Sequence, residues 1–374
     1  MRGQVDGSSA VWVVFDAEAR VPADHPLRAI RAWCDARLRE MSRDFDRAYG
    51  TTGRPGVPPE QLLKALLLQA LYSIPSEIKL MEAVEHNLLY RWFLGLPLDR
   101  PAWTPEVFSM NRDRFASFDL VRKFFDRVVA EAIEGGLVSP DHFSIDGSLI
   151  RSLASHKSLT PIDGEEPPDQ GHGGEKGRDA DVDWKGQKRS NATHRSTTDP
   201  EARLARKGPG RESHLCHSAH VVMENRSGLC LAVAVDRADG HAERRSALRL
   251  LRRIRRRHGL VPGTAGLDAG YKAGEFLAAL EAHGTTPHVP VAEALIRGGS
   301  PGAHARRRAR RRMGTVGYRL SQRVRKRAEQ VFGWCKTVGR LARTRFIGQD
   351  RIEAEAMITA AAYNLLRIAN LGRA

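Results

Sequence analysis

Between residues 136 and 142 the hydrophobic period of this chain changes, and that change most limits the folds open to it. From about His25 to Gly136 apolar residues recur at helical spacing, in HPLRAIRAWCDARLREM, PPEQLLKALLLQALYSI, PSEIKLMEAVEHNLLYRWFLGL, TPEVFSMNRDRFASF and FDLVRKFFDRVVAEAIEGGL. That spacing puts the apolar side chains of each segment on one helix face. Prolines precede the first turn of the second segment and a glycine pair follows the last, both ordinary helix limits. Connections such as GRPGVPP and PLDRPAW are short, so the pattern predicts a compact all-α bundle over residues 1–137. A DNA-reading helix-turn-helix and plain helical packing are both compatible with it.

Beyond that point the period becomes two. HFSIDGSLI (142–150) turns Phe143 and Ile145 inward and sets Ser144 and Asp146 on the other face. HLCHSAHVVMEN and SGLCLAVAVDRA read as a strand pair joined by a turn at Asn225–Gly228. A helix (AERRSALRLLRRIRRRHG), a short buried strand ending at Asp268 (GTAGLDAGY), a helix (AGEFLAALEAHG), a strand (PHVPV) and a long final helix follow. Strands alternating with helices in this order predict a mixed α/β sheet flanked by helices over 138–374. Residues 157–212, polar and nearly free of aliphatic side chains, interrupt it and are expected to be mobile. The basic stretch GGSPGAHARRRARRRMG (298–314) reads as a second loop.

Charge then narrows the partner. Lys and Arg number 60 against 44 Asp and Glu, a net charge of +16, and the pI is near 10.2. Such a balance points to a polyanion, with nucleic acid the first choice. The competing polyanion is a membrane surface, yet ALLLQALYSI (65–74) is too short to span a bilayer. The segment MRGQVDGSSA has no signal-peptide hydrophobic region. Cys34, Cys216, Cys230 and Cys335 lie far apart in sequence, without disulfide or zinc spacing, which suits a reducing cytoplasm.

The chemistry gathers around RVRKRAEQVFGWCKTVGRLARTR (323–345), where Glu329 stands among eight basic residues. On one continuous helix Arg325, Glu329 and Lys336 share a stripe. Val324, Ala328, Val331, Cys335 and Val338 form an apolar stripe that packs the same helix on a core. A carboxylate in that positive field stays ionised and can ligate metal, while Arg and Lys beside it can hold phosphate. Asp146 on the first strand and Asp268 at the end of a later one can converge with Glu329. Carboxylates with no His or Cys cluster suit Mg²⁺ or Mn²⁺, and two such ions fit phosphoryl displacement. Each residue also has a simpler account: a turn at Asp146-Gly147, a helix cap at Asp268, a solvated acid at Glu329.

These segments resemble the DDE transposases of bacterial insertion sequences over nearly the whole chain. SIDGSLIRS resembles the family's first-aspartate motif, and GLDAGYKA the second, in its Asp-x-Gly-Tyr form. RVRKRAEQVFGWCKTVGR resembles the third, patterned Tyr-x2-Arg-x3-Glu-x6-Lys, and GRPGVPPEQLLKALLLQALY resembles the N-terminal transposase domain. The resemblance implies a ribonuclease-H-like catalytic domain with Asp146, Asp268 and Glu329 as catalytic metal ligands. It further implies cleavage at transposon ends, strand transfer into target DNA, a dimer or higher multimer on DNA, and Arg325 and Lys336 as contacts to the ends. Gln322 stands where the family has Tyr and is expected to hydrogen-bond phosphate; Tyr318 is nearby in another register. The substitution leaves open an impaired copy that only binds DNA, beside a nuclease of the same fold without strand transfer. Localisation is expected to be cytoplasmic, at the nucleoid.

Other motifs carry less. Arg306, Arg307, Arg308, Arg310, Arg311 and Arg312 are expected on DNA backbone. His214, Cys216, His217 and His220 lie on a strand, where the spacing is poor for tetrahedral zinc. DADVD (179–183) imitates a calcium loop, but Trp184 replaces its turn glycine and Ser190 its closing acid. Phe332 and Trp334 are expected to pack, Trp334 with base stacking as the alternative.

Overall fold

Helical spacing in the first part of the chain folds as helices with identifiable ends. They are α1 (Ala17–Arg20), α2 (Pro26–Glu40), α3 (Ser42–Ala48), α4 (Pro59–Leu71), α5 (Glu77–His86), α6 (Leu88–Leu94), α7 (Glu106–Ser117) and α8 (Leu120–Glu134). The structure, a computed structural model, describes residues 16–50, 52, 56–162, 189–208, 210–240, 242–295 and 298–372. The segment from Pro75 to Leu96, expected as one helix, is two. Asn87 Oδ1 accepts from the backbone N–H groups of Leu89 (2.9 Å) and Tyr90 (3.2 Å), capping α6 and ending α5. Gly95, at φ 71°, then closes α6 in the left-handed conformation that a glycine adopts without strain.

The change of period begins a sheet. β1 (His142–Arg151) is followed by β2 (Leu159–Pro161), β3 (His194–Ser196), β4 (Arg203–Ala205), β5 (His214–Glu224) and β6 (Cys230–Arg237). After α9 (Ala242–His258) come β7 (Thr264–Gly266), α10 (Gly274–Ala282), β8 (Thr286–His288), α11 (Pro301–Arg312), α12 (Val316–Arg325), α13 (Ala328–Thr337) and α14 (Gln349–Leu371). β1 sits in the middle, antiparallel to β5 on one edge and parallel to β7 on the other. β5 also pairs with β4 and β6, and β7 runs parallel to β8. With this order and its flanking helices, the fold is the ribonuclease-H-like one that the resemblance implies. The β5–β6 turn is set by the buried Glu224 carboxylate, which accepts from Arg226 N (2.9 Å), Ser227 N (2.6 Å) and Ser227 Oγ (2.5 Å).

α14 joins the two parts of the chain. It packs against β6 and α13 on one side and against α2, α4, α7 and α8 on the other, so one continuous core serves both. Its small residues Ala356, Ala360, Ala361 and Ala362 allow close approach and are all buried. Polar groups fix the register. Asn364 accepts from Cys230 N (2.9 Å) and donates to Cys230 O (2.7 Å), extending β6's hydrogen bonding onto the helix. Glu353 accepts from Arg122 of α8 (2.9 Å) and from Val235 N of β6 (3.1 Å). No helix among the described residues is long and apolar enough to cross a membrane.

Two loop expectations need correction. The described part of 157–212 is ordered against the sheet: β2 pairs with β3, and β4 extends β5. The reason is a buried polar anchor. Asp199 Oδ2 accepts from Ser152 Oγ at 2.6 Å and lies 2.9 Å from His217 Nε2, with all three side chains out of solvent. The acidic run 179–183 lies outside the described residues. The basic stretch 298–314 is not a loop: Ser300 caps α11 by accepting from Ala303 N at 3.2 Å, with Pro301 in the first turn.

Replacing Asp199 with Ala strands two buried donors, so Asp199→Ala should cost roughly 2–5 kcal/mol in denaturant unfolding. Burial opposes ionisation of Asp199, but its bonds to His217 and Ser152 prevail and hold the carboxyl below its ordinary range. Because that value is depressed on folding, the contribution is present above about pH 3.9 and fades as pH falls through the folded value. Unfolding curves taken across that range on the wild type and the variant check the sign.

Candidate active site

The site follows from a register. β1 and β7 are parallel and paired for only three residues, His142 with Thr264, Phe143 with Ala265 and Ser144 with Gly266. Asp146 and Asp268 each lie two residues beyond the Ser144–Gly266 pair, so the ladder delivers both carboxylates to the same end of the sheet. The strand stops at Gly266 rather than at Asp268. Asp268 instead caps the short 3₁₀ turn Ala269–Tyr271 by accepting from Gly270 N at 2.8 Å. Asp146 accepts from its neighbour's amide, Gly147 N, at 3.0 Å. The turn and cap readings of these residues therefore coexist with their placement together.

Asp146 is largely buried, and that burial pushes its carboxyl up; Gly147 N–H and Arg325 oppose the shift, while the charges of Asp268 and Glu329 add to it. Arg325 Nη1 stands 4.0 Å from Asp146 Oδ1. Lys336 donates to Ser148 Oγ at 2.5 Å, two residues farther along the same face of β1. Burial lowers the Lys336 ammonium to about 8, and the charge of Lys207 lowers it further.

The stretch carrying these groups is two helices, not the single helix that the apolar stripe suggests. α12 ends at Arg325 and α13 begins at Ala328, with Arg327 donating to Asn225 O at 2.9 Å across the break. Ala328, Val331 and Cys335 are buried, Val324 and Val338 only partly, and Glu329 is exposed in the first turn of α13. Phe332 is buried, and Trp334 packs on Tyr363 with ring centroids 5.6 Å apart. Gln322 donates its amide to Leu267 O (3.2 Å) and His288 O (2.7 Å), bracing α12 on the ends of β7 and β8. Tyr318 lies edge-on to His288 at 6.0 Å.

Sequence reasoning missed one carboxylate. Glu243, in the first turn of α9, is half-buried beside the two aspartates. Burial first, then the charges of Asp268 and Asp146, push its carboxyl up. Gly147 and Gly270 make room for it: a β-carbon at Gly147 would lie 3.3 Å from Glu243 Oε1, and one at Gly270 would lie 3.2 Å from Oε2. The available signal was that Glu243 is the sole acid in a helix of arginines.

The arginines of α11 are partly engaged within the protein. Arg308 and Arg312 pair with Glu281 of α10, with Arg308 Nη2 at 2.5 Å and Arg312 Nη1 at 2.8 Å. Arg306 donates to Lys272 O (3.2 Å), Arg310 to Val291 O (3.2 Å) and Arg307 to Gly298 O. Arg311 is exposed. His214, Cys216, His217 and His220 do not gather around a common point, and His217 belongs to the Asp199 anchor. Among the described residues, no three His, Cys, Asp or Glu side chains stand close enough together to hold a metal ion. The donor chemistry nonetheless fits a hard cation. Asp146, Asp268, Glu243 and Glu329 act on one another's charge with Arg325 as the nearby cation, and the buried Tyr271 hydroxyl beside them has no hydrogen-bond partner.

Two measurements probe this arrangement. Raised carboxyl values give stability that is complete below the unfolded values and is lost as pH rises through the folded ones. Asp146→Asn should therefore raise the melting temperature of chelator-treated protein at neutral pH by a few degrees and flatten its decline above pH 4. Gln322→Leu removes two hydrogen bonds and should cost about 1–3 kcal/mol, with faster amide exchange in β7 and β8 than in β5.

Comparison with known families agrees with this geometry. Residues 15–114 match the family model described as Transposase domain (DUF772), and residues 160–365 match Transposase DDE domain. The second match contains Asp268, Glu329, Arg325 and Lys336 and begins after Asp146. No curated protein and no solved structure matches the chain. The DDE match alone covers more than half of the sequence, so the chain belongs to the DDE-type insertion-sequence transposases, a family that acts on DNA and generally uses divalent metal ions.

Proposed function

We propose that this transposase cuts the ends of its element and joins the resulting 3′-hydroxyl to target DNA, with Asp146, Asp268 and Glu329 as metal ligands. The observation that carries this reading is the β1–β7 register, which brings Asp146 and Asp268 to one sheet end facing the α12–α13 segment. Two Mg²⁺ or Mn²⁺ ions held there would activate the attacking oxygen and stabilise the leaving one. No protein nucleophile is required, because positioning and electrostatics supply the catalysis.

The chain's own residues divide the work. Arg325 and Lys336, set along β1, neutralise backbone phosphates of the transposon end beside the carboxylates. Gln322 holds α12 at the sheet ends and so positions Arg325; its side-chain oxygen is the part left to accept from a DNA group. Arg311, with Arg306, Arg307, Arg308, Arg310 and Arg312 on the same helix, forms a basic surface for backbone farther away, weakened where Glu281 already pairs. We assign residues 1–137 to a helical DNA-binding region and 138–374 to catalysis, in a dimer or higher multimer on paired ends. The terminal repeats and target DNA place the protein in the cytoplasm, at the nucleoid.

The test uses DNA carrying the element's terminal inverted repeats, a target duplex and Mg²⁺. Wild type should give nicked ends and joined products. Asp268→Asn should lower cleavage by about 10²–10³-fold while leaving end binding intact, given that metal charge stabilisation is worth several kcal/mol. Cleavage that persists in this variant refutes the assignment. Cleavage without joined products would identify a nuclease, and end binding without cleavage in wild type would identify an impaired copy.

A further inference from the structure

The carboxylate nearest the two aspartates from outside the sheet is Glu243, and its surroundings are unusual for a surface acid. Its two oxygens face the glycines that follow the aspartates, Gly147 directly after Asp146 and Gly270 two residues after Asp268. Any side chain at either position would crowd that carboxylate. Two buried polar groups around it also lack partners. The Tyr271 hydroxyl makes no hydrogen bond although Tyr271 is only 1% exposed. Besides burial, the charges acting on its phenol are those of Glu243, Asp146 and Asp268, in that order. His220, fully buried, has both ring nitrogens unbonded, and its Nδ1 would lie 3.3 Å from a β-carbon at Gly147. Glu329, by contrast, is exposed and is the last of the charges felt by Asp146.

We propose that Glu243 is a fourth carboxylate ligand of the metal centre, binding a divalent cation with Asp146 and Asp268 in the DNA-free protein, and that Tyr271 is its positioning residue. The inference rests on the proposed metal-dependent reading of Asp146 and Asp268. Chemically, a hard cation requires several oxygen donors and tolerates a shared, crowded set of carboxylates. Glu243 supplies the buried donor on the α9 side of the sheet. Glu329, on α13, supplies one from the opposite side and joins when DNA phosphates occupy the basic groups beside it. Tyr271 donates its hydroxyl proton to a Glu243 oxygen and so fixes the carboxylate toward the cation, as outer hydrogen bonds commonly do for ligands.

Mn²⁺ alone is the probe, titrated into the full-length, DNA-free protein and followed by the paramagnetic resonance signal of the free ion. Glu243→Gln should weaken binding by about 10- to 100-fold, Tyr271→Phe by a smaller factor, and Glu329→Gln by less than Glu243→Gln. Metal-free Glu243→Gln should melt at or above the wild-type temperature, since it relieves like-charge crowding; a purely structural glutamate would lower it. Glu243→Asp keeps the charge on a shorter arm and should bind Mn²⁺ between wild type and Glu243→Gln. If Asp268→Asn weakens Mn²⁺ binding and Glu243→Gln does not, the fourth-ligand proposal fails alone. If neither does, the underlying reading of the centre fails with it.

Discussion

The three-residue parallel ladder between β1 and β7 is the constraint on which the rest depends. Because pairing stops at Ser144 and Gly266, the next outward positions on both chains carry their side chains beyond the strand ends together. The fold therefore forces Asp146 near Asp268 and leaves them with less countercharge than an ordinary ion pair would have, Arg325 standing 4.0 Å from one oxygen. Like charges gathered in a partly buried place destabilise the empty protein. Such a cluster persists because the surrounding sheet, α9 and α12 are held by packing that does not depend on it.

Much of this was legible in the sequence, for physical reasons. The shift from helical to alternating spacing marked the start of the sheet, and HFSIDGSLI, with its alternating apolar positions, lies in the strand that carries Asp146. The β5–β6 turn and α9 were equally plain. Boundaries were less so. Asn87 splits a segment of uninterrupted helical period, because a side-chain cap competes with the next backbone hydrogen bond and periodicity does not register it. α11 was hidden by its arginines, which resemble a solvated run until Glu281 and the carbonyls around them are seen in space. The anchor through Asp199 lay in a segment whose composition suggests mobility, since composition averages over one buried carboxylate that organises many exposed neighbours.

The catalytic neighbourhood shows the same limit. Asp146, Asp268 and Glu329 were recognisable through their motifs, whereas Glu243 belongs to none of them and becomes visible only when α9 is laid over Gly147 and Gly270. Gln322 changed meaning in the opposite direction. At the sequence level it was a departure from a DNA-contacting tyrosine; in the fold it braces α12 against Leu267 and His288. A polar residue can thus lose one expected role and acquire a mechanical one without altering the elements around it.

α14 has a consequence for how copies of this gene decay. The helix is among the last parts of the chain to be synthesised, yet it contributes buried surface to both the helical bundle and the sheet. A frameshift or stop codon upstream of it would leave α8, α4 and β6 with uncovered apolar faces, so the shortened product would be cleared or aggregate rather than persist as a DNA-bound competitor. Point substitutions at the sheet end leave that core intact. Inactive copies that still occupy DNA should therefore arise by substitution and not by truncation.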